Sequence, residues 1–179
     1  MNDAYDNPPE KKIAGKMFIV MWIIFIALLS YLFNIILDKQ SNPNQNLSSI
    51  QLQSGIIEIV LQRNRYGHYV TDGKINNQEV VFMLDTGATD VSIPRHIAED
   101  LMLKQGHAMI YGTANGDITV YATQLKNISI DQIKLDNIKA TINPNTDESV
   151  VLLGMSFLKH LEFTQRGDSL ILRQYPEQL

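Results

Sequence analysis

The sequence predicts a small all-β domain, a barrel or a sandwich, that follows a single transmembrane helix. Many short β-branched runs alternate with turn residues, and one long run near the N-terminus carries no charge. A third observation concerns chemistry: the apolar run at residues 80–84 ends directly in Asp85. A carboxylate at the end of a buried strand is costly unless its charge is stabilised or it is held protonated.

The uncharged run covers residues 17–37 and is long enough to cross the hydrocarbon core of a bilayer as one helix. A buried helix of a soluble core is usually shorter and has a polar face. A cleaved signal peptide would be followed by a small-x-small site, and residues 38–43 contain none. Residues 17–37 are therefore predicted to be an uncleaved transmembrane anchor.

Lysines around this run predict the orientation of the chain. Because positive residues remain on the cytoplasmic side, residues 1–16 are predicted to be a cytoplasmic N-terminal tail. The chain would then be a single-pass inner-membrane protein whose bulk is periplasmic. Residues 38–54 are rich in Asn, Gln and Ser and are predicted to be a flexible linker to a folded domain at 55–179. The lysines are Lys11, Lys12 and Lys16 before the run and Lys39 after it.

Composition argues against several classes of function. The 179 residues have a formal net charge of -4, so the chain has no excess of positive charge to bind a phosphate backbone. Nucleic acid is therefore not expected as a partner. Cysteine is absent, which rules out disulfides and thiol catalysis. The four histidines are scattered without ligand spacing, so neither a metal nor another cofactor is expected.

The folded part is predicted to contain short strands and one or two brief helices. Asn76 and Asn77 suit a hairpin turn between two strands, because asparagine tolerates positive φ. A helix is predicted at 94–103, because a proline can occupy the first turn of a helix, and a second helix is predicted at 155–160. Residues 112–117 are predicted to be the tip of a hairpin. The predicted strands are 56–61, 68–71, 74–75, 80–84, 91–93, 108–111, 118–125, 127–130, 134–142, 150–153, 161–164 and 169–173.

The Asp-Thr-Gly motif at residues 85–87 suits peptide hydrolysis by a pair of carboxyl groups. Two such groups a few ångströms apart share one proton, because like charges that close cannot both ionise. The ionised group takes a proton from water and the protonated group hydrogen-bonds the scissile carbonyl, so this route requires no metal and no covalent nucleophile. The folded part holds one such motif, so a second chain must supply the second carboxyl group.

Residues 83–89, Met-Leu-Asp-Thr-Gly-Ala-Thr, resemble the signature of retropepsin-like aspartic proteases, two apolar residues followed by Asp-Thr/Ser-Gly-Ala. The hairpin at 111–116 is similar to the family's flap. Val-Leu-Leu-Gly-Met at 151–155 is similar to the element before its single helix. The anchor resembles that of bacterial membrane-anchored members. The resemblance implies a closed barrel with one short C-terminal helix, over about residues 56–173.

The same resemblance implies roles for the motif. Asp85 would be the catalytic acid, paired with Asp85 of a second chain. Thr86 would hydrogen-bond across the dimer axis, and Gly87 would allow the tight turn and present its amide near the substrate. The chain is therefore predicted to be a membrane-anchored aspartic endopeptidase that acts as a homodimer on a peptide or protein substrate.

Residues around the motif are predicted to hold an extended peptide. Asp90 departs from the viral pattern, in which the acidic neighbour stands one place earlier. Residues 173–179 match the short interface strand of viral enzymes poorly. The predicted substrate-binding residues are Ala88, Thr89, Gly112, Thr113 and Ala114.

Two other interpretations are open. The retropepsin-like fold could serve as a non-catalytic peptide-binding or scaffold module in the periplasm, which would bind a transition-state mimic without turnover. Alternatively, Asp-Thr-Gly could be an ordinary turn in an unrelated β-barrel, which would show no two-fold dimer.

Overall fold

A computed structural model describes residues 9–52, 55–113 and 116–176 of the chain. The chain divides into two compact units, one ending at Lys39 and one beginning at Gln40. The first contains most of helix α1 (Pro9–Ser41), in which Gly15–Ser41 is long and apolar enough to cross a membrane. The helix extends past the predicted 17–37 on both sides, because flanking residues such as Lys39 are also good helix formers.

The second unit is built mainly of strands, as predicted. Asn76 and Asn77 have φ of 51° and 69° and turn a hairpin where the sequence places one. The strands are β1 (Ile50–Gln51), β2 (Ile57–Gln62), β3 (Val70–Ile75), β4 (Gln78–Leu84), β5 (Val91–Pro94), β6 (Ala108–Thr113), β7 (Gly116–Ile130), β8 (Ile133–Asn143), β9 (Val151–Leu153), β10 (Glu162–Arg166) and β11 (Ser169–Gln174). The short helices are α2 (Arg95–Asp100) and α3 (Met155–Leu158).

The main sheet closes into a barrel, which confirms the predicted fold class. Its seven strands follow the order β3-β4-β9-β5-β8-β7-β6, and β3 also pairs with β7 through Lys74↔Ser129 and Ile75↔Ile128. The segments predicted at 118–125 and 127–130 are one strand, β7, because both pair with the long strand β8. Strand β6 lies outside the closed ring and forms a hairpin with β7.

Strand β9 lies between β4 and β5, and this strand order determines the position of the Asp-Thr-Gly loop. β4 runs parallel to β9, with Leu84 paired to Leu153, whereas β5 pairs antiparallel to β9 at Ser92↔Leu152. The loop from β4 to β5 must therefore pass the end of β9 rather than turn directly back. Asp85 lies at this crossing, beside the end of β9.

A second sheet, in the order β1-β2-β11-β10, packs on the same core. Alternate residues of its two central strands, such as Leu61 and Leu172, are fully buried, as the two-residue period of a strand requires. They share one apolar cluster with Phe82 of β4 and Phe157 of α3. Strands β2 and β11 therefore contribute to the barrel's core.

The segment before β2 differs from the flexible linker predicted at 38–54. Asn44 is 4% exposed, and its amide donates to the carbonyls of Gln62 (2.9 Å) and Val70 (2.7 Å) and accepts from the Gln62 amide (2.7 Å). Asn42 donates to Asp72 at 2.6 Å, and β1 pairs with β2. Polar composition suggested a tether, but Asn44 satisfies backbone groups of the barrel and Asn42 binds the carboxylate of Asp72. Residues 53 and 54 lie outside the described residues.

Candidate active site

Asp85 opens the crossing loop and is held by backbone contacts on two sides. Its amide donates to the carbonyl of Leu153 at the end of β9 (3.2 Å), and its own carbonyl accepts from Ala88 (3.2 Å), which closes a turn. Its carboxylate Oδ1 accepts from the amide of Gly87 at 2.8 Å. The side chain is half-buried, so the carboxylate is fixed in direction yet still reachable.

Gly154 allows the loop to cross β9. A Cβ at this residue would lie 2.3 Å from the carbonyl oxygen of Asp90 and 2.7 Å from that of Ala88, closer than real Cβ atoms approach. Any side chain here would push the loop outward. The sequence resemblance marked this glycine as part of an apolar-apolar-Gly element, and the close approach gives the physical reason.

Helix α3 secures the far side of the loop. The amides of Met155 and Ser156 donate to the carbonyls of Ala88 (2.8 Å) and Thr89 (2.9 Å). The buried hydroxyl of Ser156 accepts from the amide of Val91 and donates to the carbonyl of Lys139, each at 2.9 Å. Ser156 thereby joins the loop, α3 and β8, a role that no local sequence pattern predicts.

The structure places the residues predicted for the site in one loop and one hairpin. Ala88 is half-buried within the loop, and Gly112 and Thr113 are exposed at the end of β6. Ala114 lies outside the described residues. The Thr113 hydroxyl donates to the carbonyl of Gly116 at 2.8 Å and closes the hairpin turn. The other loop residues, Thr86, Gly87 and Thr89, are all exposed.

A contact between Tyr111 and Asp90 joins the hairpin to the loop. The hydroxyl of Tyr111 on β6 donates to Oδ2 of Asp90. Burial, together with this hydrogen bond and the negative charge of Asp90, raises the pKa of Tyr111 to about 12. The tyrosine therefore remains a protonated donor at any ordinary pH. Asp90 departs from the viral pattern, yet no local sequence pattern points to its partner, which lies twenty-one positions further along the chain.

The two acids of the loop are thus in different environments. Asp90 is engaged by Tyr111, whereas Asp85 accepts from an amide within its own turn. No group of three or more His, Cys, Asp or Glu suited to a metal ion occurs among the side chains that the structure describes. One chain presents one oriented and accessible carboxylate here, and general acid–base hydrolysis by a shared proton needs two.

Comparisons with known proteins show similarity in sequence and in fold. A family model described as "gag-polyprotein putative aspartyl protease" matches residues 71–160. The crystal structure of a retropepsin-like aspartic protease from Rickettsia conorii superposes with a TM-score of 0.57 at 32% identity, covering 72% of this chain and 96% of that one. An uncharacterized protein in the cobV 5'region of Sinorhizobium sp is 32% identical, over 89% of this chain and 73% of the relative. An uncharacterized protein of Rickettsia prowazekii is 26% identical, over 89% and 69%.

Proposed function

Because this chain belongs to the retropepsin-like aspartic proteases, we propose that it is a membrane-anchored endopeptidase that is active as a homodimer. One observation carries the proposal: Asp85 is oriented by its own turn, remains half-exposed, and is followed by the exposed residue Thr86. A second copy would place its own Asp85 beside the first across a two-fold axis. The exposed Thr86 of each chain would then meet the partner loop.

The proposed chemistry follows from the shared proton. One Asp85 carboxylate accepts a proton from water, and that water attacks the scissile carbonyl carbon. The other Asp85 gives its proton to the carbonyl oxygen, which leaves a neutral gem-diol and one proton on the dyad. The dyad then passes that proton to the amide nitrogen and takes one back from a gem-diol hydroxyl, so that the C–N bond breaks, the amine leaves and the dyad again holds one proton. The amide of Gly87 donates to Oδ1 of Asp85, which leaves Oδ2 as the oxygen that would accept the proton from water. The rigid loop contributes by holding both carboxyl groups in register.

Helix α1 is the proposed anchor. Its apolar stretch Gly15–Ser41 has 27 residues, which at about 1.5 Å per residue exceeds the thickness of a bilayer core. Lys11, Lys12 and Lys16 lie at or just before its N-terminal end, so the protease domain would face the periplasm. Both chains of a dimer would then lie in one membrane, which raises their effective concentration.

The β6–β7 hairpin is the proposed flap over an extended peptide substrate. Gly112 and Thr113 are exposed and small, which would let an extended peptide approach the hairpin closely. Ala88 and Thr89 would form the floor beneath the peptide. Tyr111 and Asp90 would set how closely flap and floor approach each other.

Removing the hydroxyl of Tyr111 tests this role of the flap. Tyr111→Phe is expected to raise KM by about tenfold with a smaller change in kcat, because a lost charged hydrogen bond costs about 1.5 kcal/mol and frees the flap without touching Asp85. Steady-state kinetics on a fluorogenic peptide measure both constants. Tyr121→Phe, on the paired strand β7 opposite Ala108, is the matched control. A fall in kcat with unchanged KM would contradict the assignment.

Dilution tests the homodimer. The rate per chain is expected to fall as full-length protein is diluted in detergent, because monomers lack a complete dyad. A statine-containing peptide blocks turnover but should keep the chains dimeric in sedimentation at dilutions where they otherwise separate. A rate per chain that is independent of concentration, together with a monomeric sedimentation mass, would contradict the proposal. Statine binding without any turnover would favour a peptide-binding module.

A further inference from the structure

Strand β10 is an edge strand of the second sheet. Within the described part of the chain, no strand pairs with its outer edge. The sheet order is β1-β2-β11-β10, so β10 has β11 on one side only. Gly167 and Asp168 form the hairpin loop between Arg166 and Ser169, and Gly167 has φ of 58°. In such a two-residue hairpin the closing pair is hydrogen-bonded, and the pattern alternates along the strand. The backbone groups of Phe163 and Gln165 therefore point toward the free edge.

The side chains of β10 suit a partner strand. Phe163 pairs with the buried Leu172 and so lies on the core side of the sheet, yet it remains 39% exposed because no strand lies beyond it. Glu162 and Arg166 lie on the opposite face at the two ends of the strand, two residues on either side of Thr164. An unpaired strand edge is a template for the addition of another strand.

We propose that this edge pairs with β10 of a second copy of the chain, antiparallel and centred on Thr164. The proposal rests on the proposed function, since the site is incomplete without a second chain. In this register Phe163 and Gln165 face the partner's Gln165 and Phe163, and every outward backbone group is paired. Glu162 faces the partner's Arg166 at both ends. The strand is thus complementary in charge to its own antiparallel copy.

Contacts within one chain prepare Glu162 for this pairing. Its carboxylate accepts from the hydroxyl of Tyr175 and from Arg173 at 3.0 Å. These two contacts, that of Tyr175 first, lower the pKa of Glu162, so it stays charged in mildly acidic solution. Arg173 also contacts Glu58 at 2.6 Å. None of the ion pairs between described residues includes Arg166.

The other edge of the sheet is a poorer candidate. Strand β1 has only two residues, Ile50 and Gln51, and neither is charged. It could form few hydrogen bonds and would not select one register. Strand β10 offers five residues and a register set by charge.

Single cysteines test the register, because the chain has none of its own. Residues facing each other in a non-hydrogen-bonded pair have Cα atoms about 4.5 Å apart, within disulfide range. Thr164→Cys in the full-length protein in detergent is therefore expected to oxidise rapidly to a covalent dimer. Glu162→Cys alone should not, since its two copies would be about 13 Å apart. A mixture of Glu162→Cys and Arg166→Cys chains should cross-link to each other.

Two further variants separate this inference from the proposed function. Gln165→Pro removes an outward amide without disturbing the pairing with β11, so it should abolish dimers while Gln165→Thr keeps them. The double variant Glu162→Arg/Arg166→Glu should dimerise, whereas Arg166→Glu alone should not. The covalent Thr164→Cys dimer should keep its rate per chain over about a hundredfold dilution.

The possible failures are distinguishable. A chain that sediments as an active dimer but shows no preferential cross-link at residue 164 would overturn the β10 interface and leave the proposed function standing. An active monomer would overturn both. A dimer that survives Gln165→Pro would also reject the β10 interface.

Discussion

Asp85→Asn is expected to fold normally and to hydrolyse peptides at least about a thousandfold more slowly than the natural chain, the usual scale of a lost acid–base pair. An amide can neither share a proton nor accept one from water, so both roles of the dyad are lost. The fold should survive because the asparagine Oδ1 can still accept the Gly87 amide that Asp85 accepts at 2.8 Å. Peptide-library digestion and thermal melting measure the two outcomes separately.

Asp136→Asn is the matched control for this change. Asp136 is an exposed acid on β8 whose nearest cation, Lys134, is 3.8 Å away, so its replacement should alter neither rate nor stability. Retained cleavage by Asp85→Asn would reject the proposed mechanism. Loss of folding in that variant would instead show that the carboxylate is structural.

Gly154→Ala is expected to give the second largest effect. The added Cβ would meet the carbonyl oxygens of Asp90 and Ala88 at 2.3 and 2.7 Å, so the Asp85 loop has to move away from β9. We expect the free energy of unfolding to fall by about 3 kcal/mol, as for a crowded core. A displacement of about 1 Å should reduce kcat about a hundredfold in the chains that remain folded.

Gly73→Ala separates crowding from catalytic positioning. A Cβ at Gly73 would lie 2.5 Å from both the Phe82 ring and the carbonyl of Ser129, so this variant should lose comparable stability. Gly73 is on β3, away from the crossing loop, and its kcat per folded chain should not change. Equal losses of kcat in both variants would show that Gly154 acts through stability alone.

Local patterns predicted most of the barrel. The hairpin at Asn76 and Asn77, the strand that ends before Asp85 and the short helix after Gly154 were each visible from neighbouring residues, since turn chemistry and strand periodicity are local. The closure of the barrel followed from the family resemblance, because residues alone left a sandwich open. The catalytic role of Asp85 stays a prediction.

Contacts between distant segments could not be predicted from local patterns. Asn44 lies in a polar stretch that has the composition of a linker, yet its amide satisfies Gln62 and Val70 far along the chain. The bond from Tyr111 to Asp90 likewise depends on how the hairpin folds over the loop. Such buried polar contacts are set by the assembled barrel, and neither composition nor periodicity reports them.

Mixing chains tests the shared dyad most directly. Under conditions where the natural chain is dimeric, adding an equal amount of Asp85→Asn and allowing the chains to exchange should lower the total rate to about half, because random pairing places half of the natural chains opposite an inactive partner. Adding Asp136→Asn should not lower it. A total rate unchanged by Asp85→Asn, despite proven exchange of chains, would show that one chain hydrolyses peptides with its own residues and would contradict the account.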